Sequence, residues 1–165
     1  MHRRDKFMLT NKMISNRSHN TEYTNLANPF GYHLGQGTLF SYVNGYEYRD
    51  IQNAWDWNLI PGTTVLLDDE KVPRNSSKIG VTGNMSFVGV VSDDWVGTSV
   101  EDYIDTYDGS LSYRKAWFFL DDSVLITTSD MPRCQTRPSL RYWISDSQPL
   151  VASMWTATRL TRVRI

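Results

Sequence analysis

The stretch KAWFFLDDSVLITT (115–128) decides the fold class. It contains two runs of aromatic and β-branched residues, KAWFFL and SVLITT, which are separated by Asp121 and Asp122. Short runs of this kind, bounded by turn residues, are typical of β-strands, and Asp is common in tight turns. The stretch is therefore predicted to form a hairpin of two antiparallel strands.

Two similar runs, TLFSYV (38–43) and SFVGVV (86–91), precede this hairpin, and residues typical of turns separate them. No window shows a sustained helical period of apolar residues. We therefore predict an all-β fold, an antiparallel β-sandwich whose sheets pack face to face. A chain of 165 residues has room for one domain with a buried core.

The composition argues against several classes of function. The chain carries 17 basic and 18 acidic residues, so no nucleic-acid partner and no anionic membrane is expected. No apolar run is long enough to span a bilayer, and the N-terminal residues lack the apolar segment of a secretory signal. A single cysteine, Cys134, excludes an internal disulfide and a cysteine-rich metal site. Asn-x-Ser sequons at Asn16, Asn75 and Asn84 are compatible with a secreted parent protein.

The polar stretch NTEYTNLANPFGYHLGQG (20–37) is the densest candidate for a binding site. It places Glu22, Asn25, Tyr32 and His33 among closely spaced glycines, which allow a backbone to approach a ligand. The alternative is a pair of polar turns that join two strands. The three histidines of the chain do not form a metal-ligand spacing, and neither a nucleophile motif nor a phosphate-binding loop occurs.

A second stretch, WDWNLIPGTTV (55–65), allows two interpretations. At strand spacing, the rings of Trp55 and Trp57 would lie on the same face. Such a pair can pack in a core, since most indoles are largely buried, or it can form a platform for a sugar ring. We predict that both indoles belong to the core, next to the turn at Pro61 and Gly62.

The residues from Pro132 onward differ from the rest of the chain. They contain six arginines against one acidic residue, and the strand alternation fades. We therefore predict that residues 1–131 form the β-sandwich domain and that residues 132–165 form a basic, poorly ordered tail.

Several sequence blocks, in unbroken order, resemble one known family. They are HRRDKF (2–7), SNRSHNTEYTN (15–25), FGYHLGQGTLFSYV (30–43), Tyr48 with AWDWNLIPGTTV (54–65), FVGVVS (87–92) and KAWFFLDD (115–122). Together they are similar to the central β-domain of family 8 polysaccharide lyases, which include hyaluronate, chondroitin and xanthan lyases. The block AWDWNLIPGTTV resembles fungal members, and the resemblance covers roughly residues 2–128.

This resemblance implies both a fold and a reaction. Family members are extracellular proteins with an N-terminal helical toroid, a large central β-sandwich (the supersandwich) and a C-terminal β-domain. They cleave uronate-containing polysaccharides by β-elimination, without an essential cofactor. The chemistry needs a base and donors for an enolate-like charge, and in the family a Tyr, an Asn, a His and an Arg of the helical domain provide them. This sequence does not contain that domain, so we expect an incomplete sandwich that is inactive alone.

Carried over residue by residue, the resemblance assigns roles within the polar stretch. Glu22 matches the Glu that the β-domain contributes to the cleft, where it supports the Arg and Tyr of the catalytic set. Asn25 matches an Asn of the same cleft. His33 is not assigned the catalytic role, because many relatives carry other residues there; it remains, with Tyr32, a candidate substrate-binding residue. Gln36 stands where bacterial relatives often carry Asp, which is a departure from the family pattern.

Two alternatives from other classes remain open. One is a free-standing carbohydrate-binding β-sandwich, in which Trp55, Trp57, Tyr32 and Tyr48 form a stacking platform. The other is a structural fragment without a ligand. Exposure of the two indoles would separate the carbohydrate-binding module from both the lyase fragment and the structural fragment, and buried indoles would argue against it.

The tail has an unusual coding property. The stretch RPSLRYWIS (137–145) can be back-translated so that a neighbouring reading frame encodes APVFAVLDQ, a sequence that would continue the family pattern as a strand. This property leads to the hypothesis of a shift of reading frame between about Thr128 and Arg137.

Overall fold

The computed structural model describes residues 1–21, 28–67, 81–107, 109–130, 141–144 and 159–164. In these ranges the protein consists of β-strands, turns and one 3-10 helix, which confirms the predicted all-β fold. Within the described part of the chain, no helix is long and apolar enough to cross a membrane. The strands are β1 (His2–Arg3), β2 (Met8–Lys12), β3 (Thr38–Tyr42), β4 (Thr64–Leu67), β5 (Val88–Ser92), β6 (Gly97–Ile104), β7 (Ser112–Phe119), β8 (Ser123–Ser129), β9 (Arg141–Ile144) and β10 (Arg159–Arg164), and the 3-10 helix η1 is Gly31–Gly35.

The described strands form three antiparallel sheets. The largest sheet has five strands in the order β10-β8-β7-β6-β5, and a second sheet has three strands in the order β1-β2-β3. β4 and β9 form a separate pair. Neighbouring strands of the larger sheet from β5 to β8 follow one another in sequence, so short turns suffice to connect them.

The hairpin predicted from KAWFFLDDSVLITT is confirmed. β7 and β8 pair in antiparallel register, with Phe119 opposite Val124. The turn between them is closed by the backbone N–H of Leu120, which donates to the carbonyl oxygen of Ser123 at 2.8 Å. Asp121 and Asp122 form the tip, as the sequence predicts.

The main core lies between the two larger sheets. Burial alternates along β7 and β8, because successive side chains of a strand point to opposite faces. The buried face of these strands contacts Leu9 of β2, and Leu39 of β3 packs against the same cluster. The two sheets therefore pack face to face, as a sandwich. The buried members of this cluster are Leu9, Trp117, Phe119, Val124 and Ile126.

The predicted burial of the two indoles in WDWNLIPGTTV is wrong. Residues 51–59 form turns and not a strand, so the alternation that would place both rings on one face does not apply. Trp55 and Trp57 are half-buried, and their ring planes make an angle of 81°. The fully buried apolar side chains of this stretch belong instead to Ile60 and Val65.

The turn at Pro61 and Gly62 connects this loop to the core. The N–H of Thr63 donates to the carbonyl oxygen of Ile60, and Gly62 has φ of +83°, which suits a Pro-Gly turn. The carbonyl oxygen of Pro61 accepts from the N–H of Leu39 at 3.0 Å. A Cβ atom at Gly62 would lie 2.7 Å from the Cβ of Leu39, so only glycine allows the turn to approach β3 this closely.

Two stretches of the predicted tail belong to strands. β9 pairs with β4, and β10 pairs with β8 along the edge of the five-stranded sheet. The rest of residues 132–165 lies outside the described residues. The domain boundary after residue 131, the poor order of the tail and the shift of reading frame stay predictions.

Candidate functional site

Two of the predicted cleft residues, Glu22 and Asn25, lie in the segment 22–27, outside the described residues. Their assignment stays a prediction. The structure does describe the residues on both sides of this segment, and these residues contact each other. Asn28 donates from Nδ2 to Oγ1 of Thr21 at 3.3 Å. The residues that flank the segment, Thr21 and Asn28, therefore lie next to each other.

Gly31 makes this contact possible. A Cβ atom at position 31 would lie 2.7 Å from Nδ2 of Asn28 and 2.9 Å from Cγ2 of Thr21. Any larger residue would push the two side chains apart. Gly31 thus allows the side chains of Thr21 and Asn28 to approach the backbone closely.

Asn20 is a buried anchor that the sequence reasoning did not single out. Its Oδ1 atom accepts from the N–H of Thr21 at 2.7 Å and from the N–H of Val81 at 3.0 Å. Its Nδ2 atom donates to the carbonyl oxygen of Tyr32 at 3.0 Å. One amide side chain therefore joins three segments next to the predicted cleft residues. The only signal in the sequence is that an Asn opens the block NTEYTN.

Tyr32 is buried, and its hydroxyl group is engaged on two sides. It donates to Oδ1 of Asp105 at 3.1 Å and lies 2.8 Å from Oγ1 of Thr106. Burial raises the pKa of Tyr32 above its ordinary value, because the charged phenolate would lose its hydration. In the described structure this side chain holds η1 against the end of β6.

His33 is also buried and belongs to a chain of hydrogen bonds. Its Nδ1 atom lies 2.8 Å from Oε1 of Gln36, which can only accept, so Nδ1 carries the proton. Gln36 donates in turn to the hydroxyl group of Tyr103 at 2.6 Å, and Tyr103 donates to Asp105. Burial lowers the pKa of His33, which favours the neutral imidazole. Gln36, noted as a departure from the family pattern, thus has a defined place in the core.

Two further buried polar side chains, Glu101 and Lys115, were not predicted from the sequence. Glu101 of β6 is 1% exposed, and its Oε1 atom accepts from the N–H of Ile14 at 3.0 Å. Lys115 of β7 is also buried and donates to the carbonyl oxygen of Gly62 and to Oγ1 of Thr64. Burial raises the pKa of Glu101 to about 8, because the charged form loses its hydration. Charged residues in strands are usually exposed, so the sequence carries no signal for this pair.

The half-buried indoles belong to an aromatic cluster on the outside of the three-stranded sheet. Trp55 stacks on Phe40 with 5.8 Å between ring centroids, and Trp57 lies edge-on to Trp55. Phe30, which is 37% exposed, lies 6.4 Å from Trp57. The members of the aromatic cluster are Phe30, Phe40, Tyr42, Tyr48, Trp55 and Trp57.

Tyr32, which the sequence analysis placed in the possible sugar platform, contacts His33 edge-on, with 5.2 Å between ring centroids. Tyr32 is a buried residue of η1, whereas Phe30 is the exposed ring at Trp57. Within the described ranges, no group of three or more His, Cys, Asp or Glu side chains could hold a metal ion.

Comparison with known proteins supports the resemblance seen in the sequence. The chain is 35% identical over 125 residues to a chondroitinase AC from Pedobacter heparinus. The match covers 75% of this chain and 17% of the chondroitinase. The chain is also 29% identical over 118 residues to the polysaccharide lyase 8 family protein HylA of Enterococcus faecalis. That match covers 68% of this chain and 8% of HylA. This chain therefore spans less than a fifth of either relative.

Solved structures show the same fold. The chondroitin AC lyase of Streptomyces coelicolor A3, solved in complex with chondroitin sulphate, superposes with a TM-score of 0.72 at 30% identity. The match covers 81% of this chain and 18% of that structure. A Paenibacillus xanthan lyase superposes with a TM-score of 0.68 at 25% identity, over 80% of this chain and 12% of that structure.

A family model agrees with these matches. The model described as "Polysaccharide lyase family 8, super-sandwich domain" matches residues 1–141. That range includes both larger sheets up to β8 and the whole polar stretch 20–37. The chain belongs to polysaccharide lyase family 8, and its matched residues form part of the super-sandwich domain.

Proposed function

We propose that this chain forms the β-sandwich wall of the substrate cleft in a lyase that cleaves uronate-containing acidic polysaccharides by β-elimination. The observation that carries the proposal is the family match over residues 1–141, together with 35% identity to a chondroitinase. The solved relative with bound chondroitin sulphate supports an acidic polysaccharide as the partner. In this proposal Glu22 supports the catalytic groups, and Asn25 contacts the substrate.

The reaction removes a proton next to a carboxylate, so a Tyr base must lose its own proton near neutral pH. A neighbouring positive charge would lower a phenol's pKa, whereas burial raises it. Burial raises the pKa of Tyr32, Tyr103 and Tyr113, so these three phenols are poorly suited to act as the base. From the family membership, we propose that the base comes from another region of the lyase, the helical domain of the family, and that these 165 residues alone do not catalyse elimination.

An extracellular location is part of the same proposal. The substrate class occurs outside cells, and two of the sequons, Asn16 and Asn84, have exposed side chains that a glycan could reach. Asn75 lies outside the described residues.

The test is the ultraviolet absorbance of the unsaturated uronate that elimination creates. Purified chain is incubated with hyaluronan, chondroitin or xanthan, and a complete family 8 lyase serves as the positive control. We expect no rise in absorbance with the chain alone. Sustained turnover that Glu22→Ala abolishes and Asn84→Ala leaves intact would place a base within this chain and overturn the proposal.

A second candidate function is carbohydrate binding by the aromatic cluster. The observation that favours it is the exposed ring of Phe30 beside the half-buried indole of Trp57, because aromatic rings of this kind can stack on a sugar face. If the cluster binds sugar, Trp57→Ala weakens binding of chondroitin oligosaccharides in calorimetry, whereas Asn25→Ala does not. The opposite result would assign binding to the cleft residues.

A further inference from the structure

Asn44 is the only asparagine of the sequence that precedes a glycine, and the pair lies in the loop after β3. Both residues are exposed. A backbone nitrogen that follows an asparagine can attack the side-chain amide carbon of that asparagine, and glycine hinders this attack least because it has no Cβ. A Cβ atom built on Gly45 would meet nothing within 4 Å, so the space beside this backbone is open. The loop thus contains the two residue types that cyclise most readily.

The side chain of Asn44 is held against the backbone that follows it. Its Oδ1 atom accepts from the N–H of Tyr46 at 2.9 Å, in a turn that asparagine commonly forms with its own backbone. A donor at this oxygen also stabilises the negative charge that the oxygen gains when a nucleophile adds to the amide carbon. The N–H of Tyr46 is therefore placed to assist an addition to the amide of Asn44.

The carboxylate of Glu47 lies at the nitrogen that would attack. Its Oε2 atom accepts from the N–H of Gly45 at 2.9 Å, and its Oε1 atom accepts from the N–H groups of Val43 and Asn44, each at 2.8 Å. The bonds from Asn44 and Val43 lower the pKa of Glu47, which favours the ionised form. A general base must lie within hydrogen-bonding distance of the proton that it removes, and Oε2 meets this condition.

We propose that Asn44 and Gly45 form a self-modification site, at which the chain deamidates through a cyclic imide with Glu47 as the general base. The N–H proton of Gly45 passes to Oε2 of Glu47 as the nitrogen of Gly45 bonds to Cγ of Asn44. The bond between Cγ and Nδ2 then breaks, and Nδ2 leaves as ammonia with that proton. Water opens the imide at either carbonyl carbon, which gives aspartate or, with an additional methylene in the backbone, isoaspartate.

The product changes the charge of this loop. Deamidation adds a carboxylate beside that of Glu47, in a chain whose formal net charge is −1, and like charges at close range repel. The next charged side chains along the loop, Arg49 and Asp50, already pair with each other, with 3.5 Å between Nε and Oδ2. Tyr48 of the aromatic cluster belongs to the same loop. We therefore expect deamidation to loosen the loop next to the aromatic cluster.

The test is incubation of the full 165-residue chain in neutral buffer, followed by peptide mapping for aspartate and isoaspartate and by isoelectric focusing. Asn53 is an internal control, because it is also exposed in a turn but precedes Ala54. We expect both products at Asn44 long before any appear at Asn53. Glu47→Gln should slow the reaction by about tenfold or more, because a positioned base typically contributes about 10²–10⁴-fold.

A pH profile separates the base from a merely structural role. With Glu47 the rate should change little between about pH 5 and pH 8, whereas in Glu47→Gln it should rise with pH, because hydroxide must then remove the proton. Hydrogen exchange at the Ser41 amide, which donates to the hydroxyl group of Tyr48 at 3.1 Å, shows whether the variant keeps the loop. Equal rates at Asn44 and Asn53 would overturn the proposal. A variant that keeps the loop and deamidates as fast as the parent would overturn it as well.

Discussion

Glu101 and Lys115 lie directly opposite each other on β6 and β7, and each holds the backbone of a different segment against the inner face of the sheet. Glu101 accepts from the N–H of Ile14, which leads into the polar stretch, and Lys115 donates to the carbonyl oxygen of Gly62. The two buried side chains therefore fix both loops that flank β3. Removal of either side chain leaves a backbone group of Ile14 or Gly62 without its hydrogen-bond partner, and a buried polar group left unsatisfied costs about 1–3 kcal/mol.

The first prediction concerns the pH dependence of stability. Burial raises the pKa of Glu101 from 4.5 to about 8 in the folded protein, so the folded state binds this proton more tightly than the unfolded chain does. The contribution of Glu101 to the free energy of unfolding is complete below pH 4.5 and is lost as the pH rises through 8. We expect the free energy of unfolding, measured by urea titration, to fall by up to about 1.4 kcal/mol per pH unit in this window.

The matched variant is Glu101→Gln, which keeps the acceptor for Ile14 and removes the titrating group. It should flatten the pH profile between pH 4.5 and 8. An unchanged slope in this variant would show that another group titrates, and a slope of opposite sign would contradict the raised pKa of Glu101.

The second prediction compares two tryptophans. Trp117 is fully buried between the sheets, so Trp117→Ala should cost about 3–5 kcal/mol through lost burial and the cavity that remains. Trp57 is half-buried in the aromatic cluster, and Trp57→Ala should cost only about 1–2 kcal/mol, within the common range for single substitutions. Urea denaturation of both variants measures the difference. Equal losses of stability in the two variants would indicate that Trp57 also belongs to the core.

The third prediction concerns Asn20. Asn20→Ala leaves the buried N–H of Thr21 and the part-buried N–H of Val81 without their shared acceptor, and a buried group left unsatisfied costs about 1–3 kcal/mol. The control Asn84→Ala removes an exposed amide that bonds a carbonyl oxygen, and it should change stability by no more than about 0.5 kcal/mol. Hydrogen exchange adds a local readout: the Val81 amide should exchange faster in the first variant alone. Unchanged exchange at Val81 would contradict the anchoring role.

The fourth prediction separates backbone strain from crowding at two glycines. Gly62 and Gly45 both have positive φ, at +83° and +89°, so alanine at either position costs about 1–2 kcal/mol of strain. A Cβ atom at Gly45 would meet nothing within 4 Å, whereas at Gly62 it would collide with Leu39. Gly62→Ala should therefore destabilise the protein more than Gly45→Ala in urea titrations. Equal effects would mean that the turn can move away from β3 at little cost.

The β7–β8 hairpin was predictable because its signals are local. Aromatic and β-branched runs, a two-residue acidic turn and the period of two all lie within one short stretch, and the register follows from the turn. The same reasoning failed for Trp55 and Trp57, because a spacing of two residues predicts a shared face only when the chain is extended. Between Ile51 and Leu59 the chain turns instead.

The sequence by itself determined the all-β class, the hairpin and, through blocks in unbroken order, the lyase family. These depend on patterns between near neighbours or on residue identity alone. Only the tertiary structure decided that Glu101 and Lys115 are buried, that Asn20 anchors three segments and that the indoles stay half-exposed. Burial depends on which segment covers each face of a sheet, and the covering segments here are distant in sequence, as Ile14 is from Glu101. No local pattern carries that information.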